Sequence, residues 1–576
     1  MTGPMTAPTA NPTIVKETSA QRMERLKRQK NPWEAFDEVR AFARQGRSSV
    51  VPDWASAYFK WWGIYTQGDG VGVTGGKGGE GKMTDYFMMR IGVPNGILDS
   101  RQLRTIAELT RQHARNLADI TVRQNIQLHW LTIESLPEIV DALDRVGLSP
   151  KGACGDVSRN VTGCPLAGIA ADEIADASPL ALGLAHMLTA NPEFYNLPRK
   201  FKVSIAGCRH WCTYPEINEI GLTAIERKSG GGVEVGYSIR VGGGLSNQPH
   251  LGVRLNAFLR LDQVLPVVHA VTELFRDQEV LRESRERARL KYLFLREGWD
   301  GERFLAEVEA RLGYRLDPAV EERMPEDIFR DHVGIHRQKQ EGLSYVGASV
   351  LRGRLSGDQL MAVAELSERF GTGDVRLTVM QNFLLINIPN AKANELAREL
   401  EAIELRVEGS NFWRGAIACT GTEFCKLAIT ETKGFTRWLV EEMEQRVPQF
   451  DQQLKLNVTG CPNGCGQHWI ADIGIEGKKI KYEGKMVDAY YFCLGGAVGL
   501  HQRTARLVGY RCAAMEVPEA MERLLRQYLA GRDDGENLRS YFARHSDAEL
   551  RDQLAGTVFE SVARDISTGD VPYAAD

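Results

Sequence analysis

A chain of 576 residues is too long for a single core, which sets the expectation at about three or four structural units. With 43% apolar residues, 25% charged residues and a formal net charge of −4, the composition is that of an ordinary globular protein and excludes a strongly basic, nucleic-acid-binding chain. No apolar run reaches about 18 residues, so no membrane helix is expected. The N-terminus lacks a basic start followed by an apolar stretch, so the chain is read as cytoplasmic, where its ten cysteines are not expected to form a disulfide framework.

In chain order, Met1–Thr18 is rich in Thr, Pro and Ala and reads as a disordered tail, with residues 1–40 taken as tail and N-terminal extension. Gly70-Val-Gly-Val-Thr-Gly75 has the spacing of a dinucleotide loop. It lies inside the Gly-rich run Gly68–Gly81, without the strand before it and helix after it that such a loop needs. Gly76-Lys77 is followed by Gly, so the phosphate-loop pattern fails as well, and the run is read as a flexible loop. Tyr86–Val93 reads as a strand, Leu103–Asn116 as a helix, and Ile120–His129 as a strand-like run on which Arg123, Gln127 and His129 alternate. In Arg199-Lys200-Phe201-Lys202, alternation sets Lys200 and Lys202 on one side of a strand. Ser284–Lys291 is basic and helix-like, either facing anionic groups or forming a solvated face.

The second half repeats the first. Tyr345–Val350, Leu360–Phe370 and Leu377-Thr-Val-Met-Gln-Asn-Phe-Leu-Leu-Ile386 follow the order of Tyr86–Val93, Leu103–Asn116 and Ile120-Thr-Val-Arg-Gln-Asn-Ile-Gln-Leu-His129. Lys455–Cys461 resembles Phe201–Cys208, and each of these cysteines has another four positions on, at Cys465 and Cys212. The pattern predicts a duplicated chain of mixed helices and strands, each half holding a small unit and a larger one.

Four cysteines carry the most chemistry: Cys419-Thr-Gly-Thr-Glu-Phe-Cys425 and Cys461-Pro-Asn-Gly-Cys465. Both spacings let the sulfurs converge, which suits a [4Fe–4S] cluster or a structural zinc. The Gly- and Pro-rich surroundings favour the cluster, because such loops turn backbone N–H groups toward sulfur. In the overlay of the halves, Cys419 falls opposite Cys154 and Cys425 opposite Asn160, so the first half carries three of four ligand positions and reads as a vestigial twin. Cys154, Cys164, Cys208 and Cys212 then read as small buried residues, with a second metal as the alternative.

These motifs resemble those of the sirohaem and [4Fe–4S] nitrite and sulfite reductases. The resemblance runs from about Trp54 to about Tyr528. It includes Phe87-Met-Met-Arg90, Thr121–Gln127, Arg159-Asn160, Pro165-Leu-Ala-Gly168, Asn196–Lys202 and Gln338–Ser344. It implies an α+β fold with pseudo-twofold duplication: ferredoxin-like half domains at 41–145 and 331–408, and larger sirohaem- and cluster-binding α/β domains at 146–330 and 409–576. It implies cluster ligands Cys419, Cys425, Cys461 and Cys465, with Cys465 shared with the sirohaem iron. It implies an anion pocket of Arg90, Arg159, Lys200 and Lys202, and sirohaem contacts from Arg123, Gln127 and His129. Tyr65 and Cys154 match a Tyr and Cys that lie near the sirohaem and can be covalently linked in some sulfite reductases. No flavin or nicotinamide module is recognisable, so electrons are expected from a separate protein, ferredoxin ahead of a flavoprotein subunit.

Lys202, Tyr65 and Cys154 lean toward sulfite, whereas Arg159-Asn160 and Pro165–Gly168 look more like nitrite reductases. The expectation is six-electron reduction of sulfite to sulfide, with nitrite to ammonia as the alternative. A non-catalytic iron–sulfur or zinc sensor or scaffold is the reading of a different class.

Overall fold

The computed structural model describes residues 17–67, 85–325 and 330–556. The Gly68–Gly81 loop and most of the N-terminal tail lie outside the described residues. The duplication is visible in the way both halves turn from strand to helix. Asn95 (φ 54°) and Gly96 (φ 68°) in one half, and Arg352 (φ 57°) and Gly353 (φ 70°) in the other, take the left-handed conformation at the same step. Each turn then feeds a helix opened by a capping box, Asp99 with Gln102 before Ser100–His113 and Ser356 with Gln359 before Gly357–Phe370. These two helices pack on each other and are tied by Arg104–Glu368 (2.6 Å) and Arg111–Asp358 (2.7 Å).

Four five-stranded sheets follow the same logic. The first orders β1 (Ile64–Thr66), β2 (Phe87–Ile91), β5 (Ile126–Leu131), β4 (Ala118–Ile120) and β13 (Arg354–Leu355). Its counterpart orders β11 (Gly334–Arg337), β12 (Leu343–Ala348), β15 (Phe383–Pro389), β14 (Asp374–Leu377) and β3 (Ile97–Asp99). Each half therefore lends an edge strand to the other, with Arg354 paired to Asp119 and Asp374 to Asp99. One hydrophobic core runs through both, from Phe36 to Val157 and from Val346 to Val407.

The larger units carry β6 (Thr162–Gly163), β7 (Val203–Ala206), β8 (Ile220–Ser229), β9 (Gly232–Val241) and β10 (Val253–Arg260), and β16 (Ala416–Ala418), β17 (Leu456–Thr459), β18 (Ile473–Tyr482), β19 (Lys485–Leu494) and β20 (Arg506–Ala513). In each, the first three strands are parallel and the rest antiparallel. Parallel neighbours end at one edge of the sheet, where the loops that follow them meet. No described helix is long and apolar enough to cross a membrane.

Three local expectations are corrected. The N-terminal extension is ordered from Glu17: helix Ser19–Gln29 is capped by Thr18, and fully buried Lys27 reaches Leu197 O (3.0 Å), Glu24 and Asp156 (3.5 Å). A buried ammonium must have oxygens around it, and these hold the helix to the body. Ser284–Lys291 forms no continuous helix. Three of its four basic side chains turn inward instead, Arg285 to Asp156, Arg289 to Glu219, and Lys291 to Leu245 O (2.8 Å), while Arg287 stays exposed. Arg123 sits in the turn before β5, not on the strand, with Thr121 Oγ1 accepting from its amide (3.2 Å).

Arg354 joins three units at once. It bridges Asp119 on β4 (3.0 Å) and Glu423 beside the cysteine quartet (2.8 Å), all three side chains 6% exposed or less. Burial works against its charge, but Asp119 and Glu423 outweigh that and hold the guanidinium firmly protonated. Arg354→Met leaves two buried carboxylates short of a partner. We expect a loss of about 3–5 kcal/mol, read as a lower urea midpoint of the purified protein.

Candidate active site

β16 and β17 run side by side in the same direction, so Cys419 and Cys461 emerge at the same sheet edge. Gly421 (φ +65°) opens the short helix Gly421–Phe424 that leads to Cys425. A Cβ there would lie 2.5 Å from Thr432 Oγ1, so the loop needs glycine. The Gly460 amide donates to Cys419 Sγ (3.2 Å), the N–H-to-sulfur contact expected around a reduced, negatively charged centre. Burial, and then the neighbouring Cys465, pushes the Cys425 thiol up to about 12 and raises Cys419 and Cys461 as well. Such thiols ionise only against a strongly positive partner, which a metal centre supplies. No three of the four sulfurs lie mutually within 4.8 Å. That spread suits ligands around a multi-iron cube better than ligands on a single zinc ion.

Opposite the quartet, positive side chains converge. Arg90 donates to Tyr65 Oη (3.2 Å), Ala153 O (3.1 Å) and Gln127 Oε1 (3.4 Å). Arg159 donates to Gly155 O (2.9 Å), and Arg123 to Asn218 Oδ1 (2.7 Å) and Asn160 O (2.5 Å). Lys200 and Lys202 flank Phe201, whose ring stacks into the core on Phe275 (5.4 Å), so both lysines turn the other way. Arg289 completes the group from the segment Ser284–Lys291.

The electrostatics are lopsided. Arg90 Nε, Arg123 Nε, Arg159 Nε and Arg289 Nη2 are buried without a hydrogen-bond partner among the described residues. Burial lowers Lys200 to about 7, with Arg289, Arg199 and Arg159 acting in the same direction against the negative pull of Cys465. Burial together with Arg289, Arg123 and Lys200 holds Lys202 well below the usual lysine range. Burial brings even Arg123 down to about 9, where Glu219 opposes it and Arg159, Arg289 and Arg90 reinforce it. Fully buried Glu219 is the carboxylate at the centre of this group, pairing with Arg289 and accepting from the Lys202 amide (2.9 Å). A site with this surplus of positive charge fits a polycarboxylate macrocycle and an anionic substrate, and the sensitivity of Lys200 to Cys465 sets the quartet against it.

Tyr65, Arg90, Gln127, Cys154 and Arg159 form one contact network. Tyr65 lies beside Cys154, and although burial opposes it, Arg159 and Arg90 lower that thiol. His129 stands apart: its Nε2 meets Asp119 (2.9 Å) and its ring stacks on Phe424 (3.9 Å), in the network around Arg354. Sequence reasoning passed over Arg289 and Glu219. The basic run containing Arg289 was visible, but its inward direction depends on Glu219, some 70 residues earlier.

The overlay of the halves is also corrected. Gln124 brackets Gly163, donating to its carbonyl and accepting from its amide (both 3.0 Å), and Gln381 brackets Ala418 in the same way (3.1 and 3.0 Å). Gly163 precedes Cys164 and Ala418 precedes Cys419, so Cys164, not Cys154, is the twin of Cys419, and Ala170, not Asn160, is the twin of Cys425.

The family model described as the nitrite and sulphite reductase 4Fe-4S domain matches residues 154–316 and 409–558. The nitrite/sulfite reductase ferredoxin-like half domain matches residues 80–146 and 336–403. The chain belongs to the nitrite and sulfite reductase family. The reductase is 36% identical to an assimilatory ferredoxin-dependent nitrite reductase of Haloferax mediterranei (88% of each chain), and 37% identical to a ferredoxin sulfite reductase of Mycolicibacterium paratuberculosis (89% of this chain, 92% of the relative). Its fold matches the solved structure of the NirA protein of Mycobacterium tuberculosis with a TM-score of 0.87 and 35% identity, over 92% of this chain and 97% of that one. The reductase is an oxidoreductase with sirohaem and a [4Fe–4S] cluster as its cofactors.

Cys425→Ser separates ligands from neighbours. Iron should fall from about five atoms per chain, four in the cluster and one in sirohaem, to about one or fewer. Cys154→Ser should keep the full complement. Iron analysis beside the visible spectrum reads both.

Proposed function

We propose that the reductase carries out the assimilatory six-electron reduction of sulfite to sulfide in the cytoplasm, with electrons from ferredoxin. The observation that carries the substrate is Lys202. It adds a further cation to a group already held by a single central carboxylate, and neither its Nζ nor that of Lys200 meets a carboxylate among the described residues. Sulfite is partly dianionic near neutrality, so it gains more from each added charge than monoanionic nitrite does. The Tyr65–Cys154 contact points the same way. Nitrite is the second reading, supported by the Haloferax mediterranei relative. Relatives of both kinds carry ferredoxin in their names, which supports it as donor.

Sulfite, six electrons and eight protons give hydrogen sulfide and three waters. Cys419, Cys425, Cys461 and Cys465 would hold the cluster; sirohaem, when bound, would supply the iron at which the anion is reduced, and the cluster its electrons. The chain's own residues do the rest. Arg90 and Arg159 present guanidinium forks that bind and polarise the anion's oxygens. Lys200 and Lys202 deliver protons to departing oxygens directly or through water; with Lys200 near 7, a proton is both available and releasable at neutral pH. Arg123 and Gln127 would hold the cofactor's carboxylates, and Gln127 accepts from Arg90 and orients it.

Lys202→Met should lower kcat by about 10²–10³-fold with the sirohaem spectrum retained. Lys200 carries its charge below its depressed value and loses it as the pH rises. Thus kcat/KM should decline above a midpoint that starts at about 7 and is moved upward by sirohaem's carboxylates. Lys200→Arg should remove that decline, because guanidinium stays charged. Paired kcat/KM measurements with reduced ferredoxin should favour sulfite; a wide preference for nitrite transfers the assignment to the second reading.

A further inference from the structure

The pseudo-twofold axis produces a second cysteine site, and it has its own geometry. Cys164 follows β6, while Cys208 and Cys212 follow β7, the positions that Cys419, Cys461 and Cys465 hold after β16 and β17. All three thiols are 2% exposed, and their sulfurs lie within 4.8 Å of one another. This is the only such group of three or more His, Cys, Asp or Glu donors among the described residues.

The spacing differs in kind from the cluster quartet. Cys212 Sγ and Cys164 Sγ are 3.7 Å apart. In a tetrahedral site with zinc–sulfur bonds of about 2.3 Å, ligand sulfurs stand about 3.8 Å apart. A disulfide needs about 2.05 Å, and its sulfurs would have to close that gap. The corner thiolates of an iron–sulfur cube are spread wider than the ligands of one ion, and the fourth corner here is Ala170.

A second observation points to a ligand. His332 is 3% exposed, and neither Nδ1 nor Nε2 has a hydrogen-bond partner among the described residues. A buried imidazole with both nitrogens unsatisfied is costly, and such groups call for an explanation. It lies close enough to Cys208 for their charges to interact, its ring nitrogens stand outside the 4.8 Å group of the three sulfurs, and its backbone is held in the left-handed region (φ 60°). Leu166, Ala167, Ile169, Tyr345, Leu384 and Ile386 pack around the sulfurs, with the Arg330 and Arg376 guanidinium groups near enough for their charges to act. Buried thiols beside an unsatisfied buried imidazole make a closed structural site, not a catalytic one.

We propose that Cys164, Cys208 and Cys212 bind one zinc ion in the crevice that mirrors the redox centre, and that the His332 ring turns in from outside the three-sulfur group to supply the fourth ligand. Binding exchanges three S–H protons for the ion: Zn²⁺ plus three thiols and a neutral imidazole gives a site of net charge −1 and three protons released to solvent. Arg330, which interacts with Cys208 and Cys212, offsets that charge. The ion would tie the two loops after β6 and β7 to the segment entering β11, across the boundary between the duplicated halves.

The test is metal analysis of the purified holoenzyme after dialysis against EDTA. One zinc per chain is expected beside the full iron complement. Cys208→Ser should cut zinc about tenfold or more with iron and the sirohaem spectrum unchanged, which separates this site from the redox centre. Cobalt(II) exchanged into the site should show intense tetrahedral thiolate bands, and His332→Ala should shift those bands and weaken metal retention at least about tenfold. Iron-replete enzyme holding less than about a tenth of a zinc per chain, or thiol mapping that finds Cys164 joined to Cys212, would overturn the proposal. So would zinc that survives Cys208→Ser, since it must then be bound elsewhere.

Discussion

Positive charge gathered in one place without matching negative charge is the constraint on which this protein is built. Arg90, Arg123, Arg159, Lys200, Lys202 and Arg289 come from five separate stretches of chain, and Glu219 faces Arg123, Arg159, Lys202 and Arg289 among them. Left alone, such a group costs stability, because each charge is removed from water and set beside its own kind. The depressed values of Lys200, Lys202 and Arg123 express that cost directly. Anions relieve it. Cofactor binding, substrate binding and the integrity of the crevice are thus aspects of one electrostatic balance.

The scaffold can sustain this because its rigid parts lie elsewhere. Arg123 is clamped by the carbonyls of Asn160 and Val203, and Arg159 by that of Gly155, so the guanidinium groups are aimed by backbone and do not wander. The other crevice shows the opposite choice. Arg90 pairs with Gln127 across β2 and β5, and at the equivalent place across β12 and β15 Gly347 pairs with Leu384. Ile386 stands where His129 would be, and Tyr345 and Leu384 pack against cysteines. At these positions one copy carries charge and the other carries apolar side chains.

Much of this was legible in the sequence, and the reason is local. The repeated Gln-Asn turn is a short-range pattern and appears in both halves as its residues suggest, whereas Lys200 and Lys202, read as one side of a strand, lie just before β7 and not on it. What escaped reading was set by distant partners. Arg289 looks like surface charge until Glu219 is known to lie behind it, and Arg123 looks like a strand residue until the Thr121 hydroxyl closes the turn. The overlay slipped because Cys154 and Cys164 are both cysteines near the right distance. Only the Gln124 and Gln381 brackets, which are tertiary contacts, tell them apart.

The exchange of β3 and β13 has a consequence for ancestry. A chain of half this length would expose a bare sheet edge and an unpaired helix face, and could close only by trading strands with a second copy. Such a dimer would own two identical crevices, each obliged to change whenever the other did. Within one chain the two crevices carry no such obligation, and the present ones differ accordingly.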